Sequence, residues 1–279
     1  VFVRSLVEDD SRDSIREFLE RDCVTNAFVI SRLARWLDRE LPLSRLSGEF
    51  WIAESAGTIH AVIYIGANLV PTACEERVID ALAVRLAQEP RRSSSIVGPE
   101  AVVHPLWDQL KSAWGNARAI RGEQPLLIIR SAPLVVPDSE VRVVEPVELS
   151  LIFPAAVEMF TEEVGISPLN VDNGASFRSR LAELIVQGRA FAHIEDGCVL
   201  FKAEVGIVTP GAAQIQGVWT TPDRRGEGVA SAGVAAIVLE ALRMSESVSL
   251  YVNDFNESAL RVYEKVGFTR HGTLASVLF

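Results

Sequence analysis

Cysteine and histidine are scarce in this 279-residue chain, at three and four residues. Cys23, Cys74 and Cys198 are odd in number and far apart, form no C-x-x-C pair and show no zinc-ligand spacing. A disulfide framework is therefore excluded, a reducing compartment is the default and no metal site is expected. His60, His104, His193 and His271 are scattered and read as surface or satisfied core residues. A basic excess is missing as well: 27 Lys and Arg face 37 Asp and Glu, for a net charge of −10. Residues 1–140 carry 16 basic and 20 acidic side chains and residues 141–279 carry 11 and 17, so both parts are acidic. Neither part is suited to coating a nucleic-acid backbone, and an anionic surface leans towards amine partners. The longest apolar stretches, Ile59–Pro71 and Val229–Leu239, fall short of the ~20 residues of a membrane-spanning helix. No basic segment followed by an apolar run opens the chain, and the expectation is a soluble, cytoplasmic protein without a membrane partner.

What is present is enough apolar material for packed cores, 48% hydrophobic against 23% charged residues, over a length that suits two domains. Ser131–Glu148, with Pro133, Pro137 and Pro146, reads as an extended connector. Upstream of it, helical periodicity covers Ser11–Leu41, with Ile15, Phe18 and Leu19 on one face and a second run over Phe28–Leu37. Strands are expected at Phe50–Ala53 and Ile59–Gly66 around Ala56-Gly57, a helix at Glu75–Gln88, a strand at Ser94–Val97, a helix at Pro99–Ala113 and a strand at Leu126–Ile129. Downstream, helices at Pro154–Val164 and Ala175–Val186 precede an antiparallel meander of Ala190–Glu195, Cys198–Val208 and Ala213–Thr220, with a turn at Asp196-Gly197. A helix at Gly228–Arg243, a strand at Val248–Val252, a helix at Asn256–Val266 and a strand at Thr273–Phe279 complete the chain. The order of helix pair, meander and helix–strand–helix–strand recurs in both parts without residue identity. Trp36, Trp51, Trp107 and Trp114 read as core, while Leu126–Ile129 and Val277–Phe279 are candidate edges for a homodimer, the oligomeric state being open.

The segment that carries chemistry is Gln214–Gly228, followed by a long apolar helix. A strand ends near Thr220, Pro222 and Asp223 turn the chain, and Arg225-Gly226-Glu227-Gly228-Val229-Ala230 opens the helix. The first amides of a helix lack internal partners and carry the positive end of the macrodipole. Glycines at 226 and 228 let an anion approach the backbone, and Arg224 or Arg225 adds formal charge: this composes a pyrophosphate seat, unless the glycines serve only to turn the chain. Beyond the next strand, Asn256, Ala259 and Tyr263 share one helical face, and Gly267 follows as a C-terminal cap.

Arg225-x-x-Gly228-x-Ala230 resembles the acyl-CoA signature Gln/Arg-x-x-Gly-x-Gly/Ala of the GCN5-related N-acetyltransferase (GNAT) superfamily, and NESALRVYEKVGF (256–268) is similar to that superfamily's following helix and strand. The resemblance covers about residues 150–279. Upstream, Gly66-Ala67-Asn68-Leu69-Val70-Pro71 lacks the paired glycines, so the first half looks like a degenerate GNAT-like unit. The implied fold is α/β (α+β), with two tandem GNAT-like domains, each a mixed, mostly antiparallel sheet flanked by helices. Residues 1–135 would form the degenerate domain, 136–148 the linker and 149–279 the catalytic domain.

The resemblance further implies that acetyl-CoA lies between two splayed parallel strands, Ala213–Thr220 and Val248–Val252. Backbone groups of Val218, Trp219 and Thr220 would bind the pantetheine arm, and Arg224, Arg225, Gly226, Glu227, Gly228, Val229 and Ala230 the pyrophosphate. Asn253 and Asn256 would contact the remainder of the cofactor. A small-molecule or protein amine would attack the thioester directly through a tetrahedral intermediate, with the carbonyl polarised by a backbone amide near Trp219. Tyr263 matches the position of the acid that protonates the leaving thiolate. The common Glu on the first splayed strand is absent, because Gln214 and Gln216 stand in that region and neither accepts a proton usefully. Glu204 faces with Lys202 rather than with Phe201, Ala203 and Val205, and is either a base acting through water or a partner of Lys202. Glu162 and Glu163 either bind a cationic acceptor or cap a solvated helix face. N-acetyl transfer is the leading expectation; a non-catalytic CoA-binding module and another acyl or aminoacyl transferase remain as alternatives.

Overall fold

Both halves of the chain bury strands between two helix layers, and the alternation of side chains decides which layer each residue meets. The computed structural model describes residues 1–279. In chain order the first elements are β1 (Phe2–Ser5), α1 (Arg12–Glu20), α2 (Ala27–Leu37), β2 (Glu49–Ser55), β3 (Thr58–Ile65), β4 (Asn68–Pro71), α3 (Glu76–Ala87), β5 (Ser95–Pro99), α4 (Glu100–Trp114) and β6 (Ala119–Ile129). On β2 and β3, Phe50, Ile52, Val62 and Tyr64 face α1 and α2, where Ile15, Leu19, Leu33 and Trp36 complete one core. Trp51, Ala53, Ala61, Ile63 and Ile65 turn the other way, into a core with Val78, Leu82, Leu106 and Trp107 of α3 and α4. The apolar run over 61–65 is thus a strand covered on both faces, and Trp36, Trp51 and Trp107 are buried as the composition suggested.

The second series is β7 (Arg142–Val143), α5 (Leu149–Val164), α6 (Ala175–Val186), β8 (Ala190–Glu195), β9 (Cys198–Val208), β10 (Ala213–Thr220), α7 (Val229–Ala241), β11 (Val248–Tyr251), α8 (Glu257–Val266) and β12 (Thr269–Leu278). Strands β7 to β10 pair antiparallel in succession. Ala190 and Ala192 of β8 pack with Ile152 and Ala156 of α5 and Leu181 and Ile185 of α6.

Division by internal contacts does not follow sequence order. One unit comprises Val1–Leu126, Tyr251–Phe255 and Arg270–Phe279; the other comprises Leu127–Leu250 and Asn256–Thr269. The last strand therefore belongs to the first unit: Leu274, Ala275, Ser276, Val277 and Leu278 pair with Pro99, Gly98, Val97, Ile96 and Ser95 of β5, and β6 flanks β12 on the other side. Val277–Phe279 is accordingly no edge, which corrects the expectation of a dimerisation strand there. The outer strand of the first unit is β1, and that of the second is β7. The expected connector is fastened within the second unit, where Leu134 N–H donates to Val266 O (2.8 Å) and Asp138 N–H to Ala232 O (3.0 Å). Gly66–Pro71 is not the loop before a helix, since Asn68–Pro71 forms β4; the true approach to α3 is Thr72–Glu75. No helix is long and apolar enough to cross a membrane.

Burial beside Glu75 pushes the Cys74 thiol up to about 12, whereas Cys198 is exposed. At pH 8, iodoacetamide is expected to modify Cys198 well before Cys74, as peptide mass mapping of the folded protein would read. Faster labelling of Cys74 would contradict this packing.

Candidate functional site

The second unit opens a gap in its own sheet. β10 and β11 are parallel but pair only at Ala213↔Val248 and Gln214↔Ser249, although β10 continues to Thr220. On its other side β10 stays on β9, reaching Trp219↔Lys202 and Thr220↔Phe201 after a register shift between Gln216 and Trp219. Gly217 lies in that shift with φ +62°, a left-handed conformation that a β-branched or bulky residue resists. Pairing with β11 has already ended before this shift, so Val218, Trp219 and Thr220 lie on the stretch of β10 that β11 does not pair. Two consecutive side chains there are buried and lack hydrogen-bond partners, Trp219 Nε1 (residue 7% exposed) and Thr220 Oγ1 (8%). Buried polar groups are nearly always paired; these two stand on opposite faces of the sheet, Trp219 across from Lys202 and Thr220 across from Phe201.

Beyond Thr220 a 3-10 turn over Pro222–Arg224 leads to the start of α7. Gly226 and Gly228 adopt φ +86° and +88°, and a Cβ at either position would meet open space. It is the backbone conformation, not crowding, that requires glycine at these positions. Gly228 caps α7 without any side-chain hydrogen bond. The first intrahelical bond runs from Ala232 N–H to Gly228 O (3.1 Å), so the amides of Val229, Ala230 and Ser231 precede the ladder. Both flanking arginines are engaged. Arg224 pairs with Glu227 (2.6 Å), while Arg225 donates to Thr220 O (3.0 Å) and binds Glu162 through both carboxylate oxygens (3.0 and 2.9 Å). These pairs are about half exposed, so solvent screens them and each contributes little.

On α8, Asn256 is the N-cap; its Oδ1 accepts from Ala259 N–H (3.2 Å) and Ser258 Oγ (3.0 Å). Tyr263 is buried, with its ring edge-on to Phe268 at 6.0 Å. Burial, and secondarily the Glu163 carboxylate, raise its phenol above the ordinary tyrosine range, so it is protonated at neutral pH. Glu204 is buried and ion-paired to Lys202.

Asn253 stands between β11 and α8. It lies in the first unit, buried, with its Oδ1 accepting from Gln124 Nε2 (3.0 Å) while Gln124 Oε1 accepts from Ser276 Oγ (2.6 Å). Gly217 escaped the sequence reading, while the partnership of Lys202 and Glu204 is one of the two alternatives it left open. A glycine inside a strand-like run is the signal that would have flagged the bulge.

The first unit contains the corresponding strand pair in closed form. β4 and β5 are parallel at Asn68↔Ser95 and Leu69↔Ile96. Past that point Pro71 packs on Gly98, its carbonyl oxygen 3.0 Å from where a Cβ would stand. Thr72 is held to β3 by bonds in both directions with Val62 (3.1 and 3.0 Å). Glu75 and Glu76 occupy the start of α3, where their charge repels phosphate.

Residues 170–268 match the model of the acetyltransferase (GNAT) family, and residues 48–152 match a domain of unknown function, DUF4081. No curated protein matches the sequence. Among solved structures, a GNAT-family acetyltransferase from Colwellia psychrerythraea superposes with TM-score 0.55 at 12% identity, covering 100% of both chains. A GCN5-related N-acetyltransferase from Kribbella flavida gives 0.54 at 18%, covering 90% of this chain and 94% of that one. A tandem GNAT protein from the clavulanic acid biosynthesis pathway gives 0.52 at 14%, covering 99% and 98%. At these identities the structural likeness speaks for the fold alone. Residues 170–268 thus form an acetyltransferase (GNAT) family domain, within a chain whose fold along its length is that of a tandem GNAT protein.

Proposed function

We propose that the second unit binds acetyl-CoA and transfers its acetyl group to an amine. The observation that carries this reading is the gap between β10 and β11, followed along the chain by the unpaired amides at the start of α7. Bound acetyl-CoA would supply an activated thioester. Val218, Trp219 and Thr220 would pair with the pantetheine arm as an added strand. The amides from Gly226 to Ala230, with Arg224 and Arg225, would hold the pyrophosphate. Asn256, whose cap uses only the carbonyl side of its amide, would offer its NH2 group to the cofactor. A backbone N–H near Trp219 would polarise the carbonyl, a contribution of ~3 kcal/mol for one preorganised donor. Tyr263 would protonate the leaving thiolate. Glu204 would take the proton of the amine through one water, and Glu162, released from Arg225 by phosphate, would join Glu163 in attracting a cationic acceptor.

A second reading, a CoA-binding module without turnover, is favoured by one observation: Glu204 and Glu162 are each committed to a basic partner. Calorimetry with coenzyme A and thiol release from acetyl-CoA over an amine panel separate the two. The expectation is one binding site per chain, because the corresponding gap of the first unit is closed, together with amine-dependent thiol release. Two sites would contradict the closed gap, binding without thiol release would select the module, and absence of binding would remove both readings.

A further inference from the structure

Lys202 and Glu204 form the one ion pair of this chain in which both side chains are sealed from solvent, at 1% and 7% exposure. They lie on the same face of β9, and the surroundings of that face are apolar. Ala190 and Ala192 of β8 stand opposite Glu204 and Lys202, under Ile152 and Ala156 of α5 and Leu181 and Ile185 of α6. β10 presents Gln216 and Trp219 opposite the pair, neither of them charged. Desolvating two charges costs several kcal/mol per ion, and an apolar pair of similar size would pack there at least as well. The geometry suggests what the pair is for. Lys202 Nζ donates to Glu204 Oε1, and Glu204 Oε2 lies against the backbone of Gly217, where a Cβ would fall inside the carboxylate. One oxygen is tethered and the other is delivered to Gly217, on the stretch of β10 that β11 does not pair.

We propose that Lys202 is a positioning residue: it anchors Glu204 by Oε1 so that Oε2 is presented at Gly217, beside the place where the amine must lose its proton. This rests on the acyl-transfer reading above and deepens it, because it assigns the enzyme to acceptors that arrive as ammonium ions. One ammonium proton passes to Glu204 Oε2 through water, nitrogen bonds to the acyl carbon, the carbon–sulfur bond breaks and the thiolate takes the Tyr263 proton; the second nitrogen proton returns through water to the Tyr263 phenolate, Glu204 releases its proton to solvent, and Lys202 keeps its own protons throughout. An acceptor that is already neutral does not need the first of these transfers.

The test compares 2-phenylethylamine, protonated at neutral pH, with aniline, which is neutral. Lys202→Met is expected to lower thiol release about 100-fold with 2-phenylethylamine, in line with general-base contributions, and under about 5-fold with aniline. Calorimetric affinity for coenzyme A should stay within about 3-fold, since no cofactor-binding group is removed. Should Lys202→Met fail to fold, Lys202→Arg keeps both charges but re-seats the carboxylate, and the same selective loss is expected in smaller measure. Equal losses with both amines, or no loss in a folded variant, would overturn the assignment. A wild-type chain that binds coenzyme A but releases thiol with neither amine removes the acyl-transfer reading and the assignment with it, a failure visible before any variant is made.

Discussion

Tyr263→Phe is expected to reduce turnover about 100-fold while leaving coenzyme A affinity within about 3-fold, the split that loss of a general acid produces. The substitution removes one oxygen and keeps the ring, so the edge-on contact with Phe268 persists. Burial and the nearby Glu163 hold the wild-type phenol above its ordinary range. Its protonated form is therefore the stable one below about pH 10, and its ionisation should not weaken activity over pH 6–9. Steady-state thiol release together with calorimetry reads both parts. Full turnover in Tyr263→Phe would remove the acid from this mechanism.

The second large effect concerns stability. Ending the chain after Thr269 is expected to unfold the first unit. The cut removes the pairs from Leu274↔Pro99 to Leu278↔Ser95 and the buried side chains of Leu274, Ala275 and Val277. It also leaves Gln124 Oε1, which accepts from Ser276, without that donor. Buried Leu and Val side chains are worth ~1.5–3 kcal/mol each, and each stranded buried polar group costs ~1–3 kcal/mol. Together with the lost ladder this rivals the ~5–15 kcal/mol of a whole domain. Limited proteolysis should cut within residues 1–126 of the truncated chain first. A truncated protein whose first 126 residues keep native amide protection would show that β12 is dispensable. Gln124→Leu, a gentler version that leaves Asn253 and Ser276 unpaired, should cost about 2–4 kcal/mol in denaturant melts.

Local features of the site were legible in the residues. Gly226 and Gly228 announce the cap of α7, three- and four-residue spacing puts Asn256, Ala259 and Tyr263 on one face, and period-two alternation sets Lys202 and Glu204 on one side of β9. What escaped depends on distant partners. Arg225 meets Glu162 and Asn253 meets Gln124 across long stretches of chain, so nothing near either residue reveals the engagement. Short strands carry too little pattern to be noticed, as with β1 and β4, and the charged start of β6 hid its first residues. Pro154 suggested a helix start, yet α5 begins at Leu149 and carries the proline inside. The final strand was expected near its observed place, but hydrophobic pattern alone does not say which neighbour a strand chooses.

The membership of Arg270–Phe279 in the first unit bears on synthesis. A nascent chain emerging from the ribosome cannot finish that unit when its first 126 residues are out, because β5 waits for a strand translated some 170 residues later. Until then its exposed ladder is open to other pairing partners, so this protein should lean on chaperones during translation more than a chain whose domains close in order.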